Sequence, residues 1–288
     1  YVSTPSEYWG GHGALVHTDL TGSQDVDPPE AVRIYILGGM QHSLGGLPLT
    51  DTDAEGVRTQ RLYHCLDYRS LLRAALVNLD RWVTSGHPAP PSRYPKISDG
   101  TAVSPETALK TLTSIPGVEP PVHLRRFTRL DFGTDPGVPT KVPPVVGNLY
   151  PNLVSAVDGD GNETSGILMP FITVPLATYT GWNLRHADIG GNGEIMSTGG
   201  ASGGTLKGST IPFPAKAEDR EASGDPRLSI EERYASKEGY LNKIDEAARS
   251  LLDEAYLLQE DLATVMELAG DLYDVFVGRA AAVQAADN

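Results

Sequence analysis

Val32-Arg33-Ile34-Tyr35-Ile36-Leu37-Gly38-Gly39-Met40-Gln41-His42-Ser43 reads as a strand that runs into a glycine turn and presents a histidine at its end. The apolar run is β-branched and aromatic, and it is too short for an ordinary helix. Gly38-Gly39 then lets the backbone bend sharply, because neither residue carries a Cβ. His42 is thereby placed on a loop at the carboxyl end of a strand. In open α/β sheets that edge is where ligand and catalytic groups gather. The stretch predicts that His42 is the general base of a hydrolase.

Working outward, the chain passes Gly45-Gly46 and Pro48 and reaches an amphipathic helix that Asp67 is expected to cap. Leu71, Leu72, Ala75, Leu76, Leu79, Trp82 and Val83 recur at three- and four-residue spacing, and Gly86 follows as the C′ residue. Strand, loop and helix together form the closing unit of a doubly wound α/β domain. Residues 1–96 are thus expected to hold the last strands and helix of such a core. On the other side, Tyr1-Val2-Ser3-Thr4 reads as the end of an earlier strand, with neither an initiator Met nor a signal peptide. A chain that begins in the middle of a domain is the expectation.

Residues 97–215 are rich in Pro and Gly and partly β, and are expected to form an insertion or cap. Asp158-Gly159-Asp160-Gly161-Asn162 signals a hairpin turn. The apolar piece after it, Ile167 to Tyr179, contains Pro170 and Pro175, so it is an edge strand or a broken one. Gly190 to Gly208 is a glycine-rich loop. Residues 216–288 read as helical. Ser229-Ile230-Glu231-Glu232 is a capping box, and two apolar stripes follow it, one through Leu241, Ile244, Ala248 and Leu251, the other through Leu262, Val265, Met266 and Leu272. Both read as packing faces, and no cofactor is expected.

Composition narrows the function. The 288 residues carry 23 basic and 37 acidic side chains, a net charge of −14, which argues against nucleic acid and anionic membrane surfaces as partners. From Glu218 onward 17 acids face 7 bases, so most of the excess is the solvated side of the C-terminal helices. No run of eighteen apolar residues occurs, and no membrane span is expected. The single cysteine, Cys65, permits no internal disulfide and no thiolate cluster, and it reads as a buried, inert thiol.

A histidine base needs a carboxylate to fix its tautomer. In the α/β-hydrolase arrangement the order is serine, then acid, then histidine. Glu7 follows the strand end at Tyr1–Thr4, one strand before His42, and ranks first. Asp25, in a turn-forming Asp-x-Asp-Pro-Pro, ranks second and Asp19 third. Gly200-Ala201-Ser202-Gly203-Gly204 matches G-x-S-x-G by letter. Glycines on both sides give it neither the preceding strand nor the following helix that lifts such a serine above a sheet, and it falls after the histidine. Ser43 reads as a loop hydroxyl, and His64, His87 and His123 as surface or cap residues. His186 belongs to the polar-aromatic knot at Trp182-Asn183-Leu184-Arg185, which reads as loop structure. His12, His17 and Asp19 lack the spacing of an ordered metal site. Asp158-x-Asp160-x-Asn162 begins like a calcium loop but lacks the sixth-position glycine, so no metal is expected there either.

Ser6-Glu7-Tyr8-Trp9, Leu15-Val16-His17-Thr18-Asp19, the strand leading to Gln41-His42, Pro90-Pro91-Ser92-Arg93-Tyr94-Pro95, Pro175 to Asn183 and Gly224 to Tyr234 together resemble a large bacterial group of α/β-hydrolase domain proteins. The resemblance covers nearly the whole chain. It implies the C-terminal part of an α/β-hydrolase sheet, with the family's acid and histidine on Glu7 and His42. It also implies a nucleophile serine and oxyanion hole in an upstream half. The expected activity is hydrolysis of a small carboxylic ester once that half is present, as a companion chain or part of the same precursor. The competing expectation is a non-catalytic interaction subunit with a hydrolase-derived fold.

Overall fold

The computed structural model describes residues 1–135, 137–195 and 207–286. Its strands are β1 (Val2–Ser3), β2 (Tyr35–Gly38), β3 (Leu62–Tyr63), β4 (Ala102–Val103) and β5 (Thr128–Asp131), then β6 (Val145–Leu149), β7 (Val154–Ser155), β8 (Ile167–Leu168), β9 (Ala177–Thr180) and β10 (Ser209–Pro212). Its helices are α1 (Pro5–Trp9), α2 (Arg69–Ser85), α3 (Pro105–Leu112) and α4 (Pro170–Thr173), followed by α5 (Ala217–Ser223), α6 (Ile230–Arg233), α7 (Lys237–Asp253) and α8 (Leu262–Ala286).

The opening stretch of sequence is the centre of a parallel sheet in the order β1-β2-β8. Val2 pairs with Tyr35, and Leu37 pairs with Ile167. Every residue of β2 is buried, as an unbroken apolar run requires when both faces of a parallel strand are covered. A second sheet, β3-β10-β9, is antiparallel and matches Ser209 to both Tyr63 and Thr180. The prolines break the Ile167–Tyr179 piece as expected. Pro170 opens the short α4, and the chain resumes extended structure only at Ala177.

One apolar cluster draws on all three stretches of the chain. Tyr35, Leu37 and Met40 meet Ile167, Phe171 and Tyr179, and these meet Tyr240, Ile244, Leu272 and Phe276 of α7 and α8. Arg227 ties the second sheet to the region before α6. Its guanidinium is bound by Asp225, with Nη2–Oδ2 at 2.6 Å, and also donates to the Ile211 carbonyl and Thr178 Oγ1. Both members of the pair are at least 95% buried. Asp225→Ala should therefore destabilise the fold by about 3 kcal/mol in urea denaturation, since it strands a buried cation.

Helix α2 runs almost as the spacing predicts, and Gly86 closes it in the left-handed conformation. Asp67 lies one residue before the helix's N-cap and accepts from the Arg69 backbone N–H. The outcome for its stripe differs from the expectation. The buried face is Ser70, Leu71, Ala74 and Asn78, while Leu72, Leu76, Leu79 and Val83 are exposed. Polar anchors set this rotation: Asn78 donates to the Ala255 carbonyl, and Arg73 pairs with Asp261. The outward apolar face, with Val2, Val32 and Tyr35, lines an open groove of about 420 Å³ beside β1.

Candidate functional site

Thr4-Pro5-Ser6-Glu7 starts a helix by standard means. Pro5 occupies the first turn, where its missing N–H leaves no bond unmade, and Thr4 and Glu7 form a capping box. Glu7 Oε2 accepts from the Thr4 backbone N–H at 2.8 Å, from Thr4 Oγ1 at 2.7 Å and from Ser3 Oγ at 3.2 Å. Its other oxygen, Oε1, faces His42 Nδ1 at 2.5 Å. Burial pushes the Glu7 carboxyl up, but the hydrogen bonds from His42 and Thr4 outweigh it and leave the group below the usual glutamate range.

The histidine arrives on the glycine turn after β2. Gly39 sits at φ +73°, and a Cβ there would lie 2.5 Å from Ile172 Cδ1, so glycine is required on both counts. The turn is held from several elements at once. The Gly39 N–H donates to Glu163 Oε2 at 3.0 Å, and the Gly39 carbonyl accepts from His64 Nε2 at 2.7 Å. The His42 backbone N–H donates to Ser6 Oγ, which itself donates to the Gly181 carbonyl, while Tyr68 donates its hydroxyl to the His42 carbonyl. Gln41 Oε1 accepts from the Gly208 N–H. Backbone position is thus fixed while the imidazole stays half exposed, at 55%.

This geometry sets the tautomer. An ionised carboxylate can only accept, so His42 Nδ1 carries the proton and Nε2 presents its lone pair. Among the described residues nothing hydrogen-bonds to Nε2. The arrangement is an oriented base open to solvent, able to take a proton from a hydroxyl placed at Nε2 and to hold it against Glu7.

The other residues singled out from sequence fall elsewhere. Asp25 accepts from the Ile97 and Ser98 N–H groups, and Asp19 accepts from the N–H groups of Thr21, Ser23 and Gln24, so each shapes a loop. His17 is buried, sharing a hydrogen bond with Tyr8 and stacking on Tyr94, and burial lowers it to about 4. His12 packs on the edge of Phe127. No metal-binding cluster occurs among the described residues. Asp158 organises its turn by accepting from Asp160 and Asn162, and Asn162 bonds to Ala177 and Tyr179. The Cys65 thiol is pushed up to about 11 by burial, which removes it as a nucleophile. Ser43 Oγ is buried with no partner among the described residues, and Ser202 lies outside them.

His64 corrects the reading of a surface residue. It is fully buried and neutral, with Nε2 donating to Gly39 and Nδ1 accepting from the Leu66 N–H. Glu163 has no sequence signal at all. It stands five residues past a turn-forming aspartate, yet its carboxyl reaches Gly39 and burial raises it to about 8.

Among the described residues no helix is long and apolar enough to cross a membrane. No curated protein and no solved structure gives a significant match. A family model described as an alpha/beta hydrolase domain matches residues 10–267, which takes in His42, the glycine turn with its partners His64 and Glu163, and every strand of the two sheets except β1. Glu7 stands three residues before that span. The strand–turn–histidine unit and this match over most of the chain agree: the chain belongs to the alpha/beta hydrolase domain family.

Proposed function

We propose that the chain supplies the acid and the base of a serine hydrolase acting on carboxylic esters, Glu7 and His42. The nucleophile serine and the oxyanion hole come from an upstream segment that completes the sheet. The observation that carries this reading is the contact of Glu7 Oε1 with His42 Nδ1 at 2.5 Å, which leaves Nε2 open. Two surface features support the completion. Among the described residues strand β1 pairs only with β2, so its outer edge offers backbone groups to a further parallel strand. The groove beside it is walled by the outward apolar face of α2, a surface that suits a covering helix or strand better than water.

In the completed site His42 Nε2 takes the proton of the serine hydroxyl as its oxygen attacks the acyl carbon. Glu7 stabilises the imidazolium, and donors from the upstream segment hold the developing oxyanion. His42 then gives the proton to the departing alkoxide. Water repeats the sequence on the acyl-enzyme and releases the acid. Parts of residues 97–215 flank the acyl group in this reading, and the ester's alcohol leaves on the His42 side.

A fluorophosphonate probe tests the assignment, because it phosphonylates only an activated serine. Labelling is expected on a serine of the upstream segment, located by peptide mass spectrometry. Labelling of Ser202 would replace that assignment with a self-contained site. Absence of labelling in every preparation containing both segments would leave the interaction-subunit reading in its place.

A further inference from the structure

A cavity of about 820 Å³, separate from the glycine turn, lies between the second sheet and the C-terminal helices. Its walls are mixed, with an apolar stretch through Leu49, Leu62, Ile211, Phe213 and Phe276 beside the polar Thr50, Gln60 and Thr210. One cation enters it, Arg61, the residue before β3. The Arg61 backbone is locked, its N–H donating to Asn183 Oδ1 and its carbonyl accepting from Asn183 Nδ2 and Thr59 Oγ1. Its guanidinium lies against Gly117, in the space a Cβ at that position would need. The side chain is therefore held in place, and it is half-buried.

What the guanidinium lacks is an anion. Among the described residues Arg61 forms no salt bridge and its side chain makes no hydrogen bond, although five donors sit on that group. The acids of the same cleft are engaged elsewhere. Asp51 pairs with Arg58, and Asp219 accepts from the Lys216 N–H at the start of α5. Burial lowers Arg61, the field of Glu119, which lines the small space beside it without bonding to it, raises it, and that of Arg227 opposes. Beside it a second, water-sized space is lined by Arg61 and Trp182, and Trp182 Nε1 is a buried donor that also has no partner. A half-buried, positioned guanidinium at the end of a cleft with an apolar stretch is built like a carboxylate site, because the planar fork matches two carboxylate oxygens.

We propose that this cleft binds an amphipathic carboxylate, its headgroup on Arg61 and its apolar body along Leu62, Ile211, Phe213 and Phe276. The site stands apart from the ester-hydrolysis reading and does not depend on it. The chain's net charge of −14 repels anions in general, so a preference for the carboxylate has to come from a local cation.

Isothermal titration and NMR titration with 4-phenylbutyrate, against 4-phenylbutanol as the neutral isostere, test the assignment on the unaltered chain. The carboxylate is expected to bind saturably and at least tenfold more tightly than the alcohol. Arg61→Met should erase that preference and leave the alcohol unchanged, and Arg61→Lys should keep part of it. The same tightness for acid and alcohol on the unaltered chain, or absence of saturable binding by the acid, would overturn the proposal without reference to any variant's folding. So would an undiminished preference in a folded Arg61→Met chain.

Discussion

In the completed enzyme His42→Ala is expected to lower kcat for ester hydrolysis by at least about 10,000-fold, while the fold keeps its stability. The two effects separate because the backbone of the turn is held by Glu163, His64, Ser6 and Tyr68, and the imidazole itself is half exposed. Glu7→Gln is expected to approach the same loss by another route. Oε2 of Glu7 meets three donors, so the amide oxygen of a glutamine takes that side and the capping box survives. Its NH2 then faces His42 Nδ1. The ring must accept there, the proton moves to Nε2, and the base has no lone pair to offer. Initial rates with a nitrophenyl ester and urea denaturation of the same samples check both halves. Near-normal activity of Glu7→Gln combined with an inactive Asp25→Asn would transfer the acid role to Asp25.

The second large effect is on stability against pH. Glu163 is raised from 4.5 to about 8 by burial, so the fold keeps a proton that the unfolded chain releases. Its contribution is fully present below 4.5 and is lost as pH climbs toward 8. His17 and His64 act in the opposite sense. Burial lowers each from 6.5 to about 4, so their contribution is complete above 6.5 and is lost as pH falls toward 4. Between 4.5 and 6.5 two histidines outweigh one glutamate, and above 6.5 the glutamate acts alone. Stability should peak near pH 6.5 and decline on the alkaline side. Glu163→Gln keeps an acceptor for the Gly39 N–H and removes the titration. Relative to its value at pH 6, the variant should gain roughly 3 kcal/mol over the wild type by pH 9, since about two of the 3.5 pKa units are lost in that range at about 1.4 kcal/mol each. Chemical denaturation across that range measures it, and parallel alkaline slopes for the two proteins would rule the account out.

How much of this was legible in the sequence depended on chain distance. The strand, its glycine turn and the histidine are consecutive, and local rules read them. Glu7 was reachable because one strand of sequence separates it from the turn. A further signal strengthens its rank over Asp25: Thr4-Pro5-Ser6-Glu7 is itself a capping box with a proline in the first turn. The supports of the turn were not reachable. Ser6 meets Gly181 across 175 residues, and Glu163 meets Gly39 across 124, and no periodicity encodes such a pairing. His64 read as a surface residue because no local rule marks an imidazole for burial, even beside the buried Cys65 and Leu66, and its partners are Gly39 and Tyr179. Helix α2 shows the complementary limit. Spacing shows that an apolar stripe exists, but only tertiary anchors such as Asn78 and Arg73 decide which way it faces.

The two oxygens of Glu7 have different employers. One closes the first turn of α1, a task this fold needs whether or not an ester is turned over. The other serves only the histidine. Replacing His42 would therefore leave the glutamate its helix, since among the described residues the His42 side chain makes no hydrogen bond beyond that single one. Under the proposed reading, Glu7 by itself marks a helix start, and only together with His42 does it form a site able to move a proton.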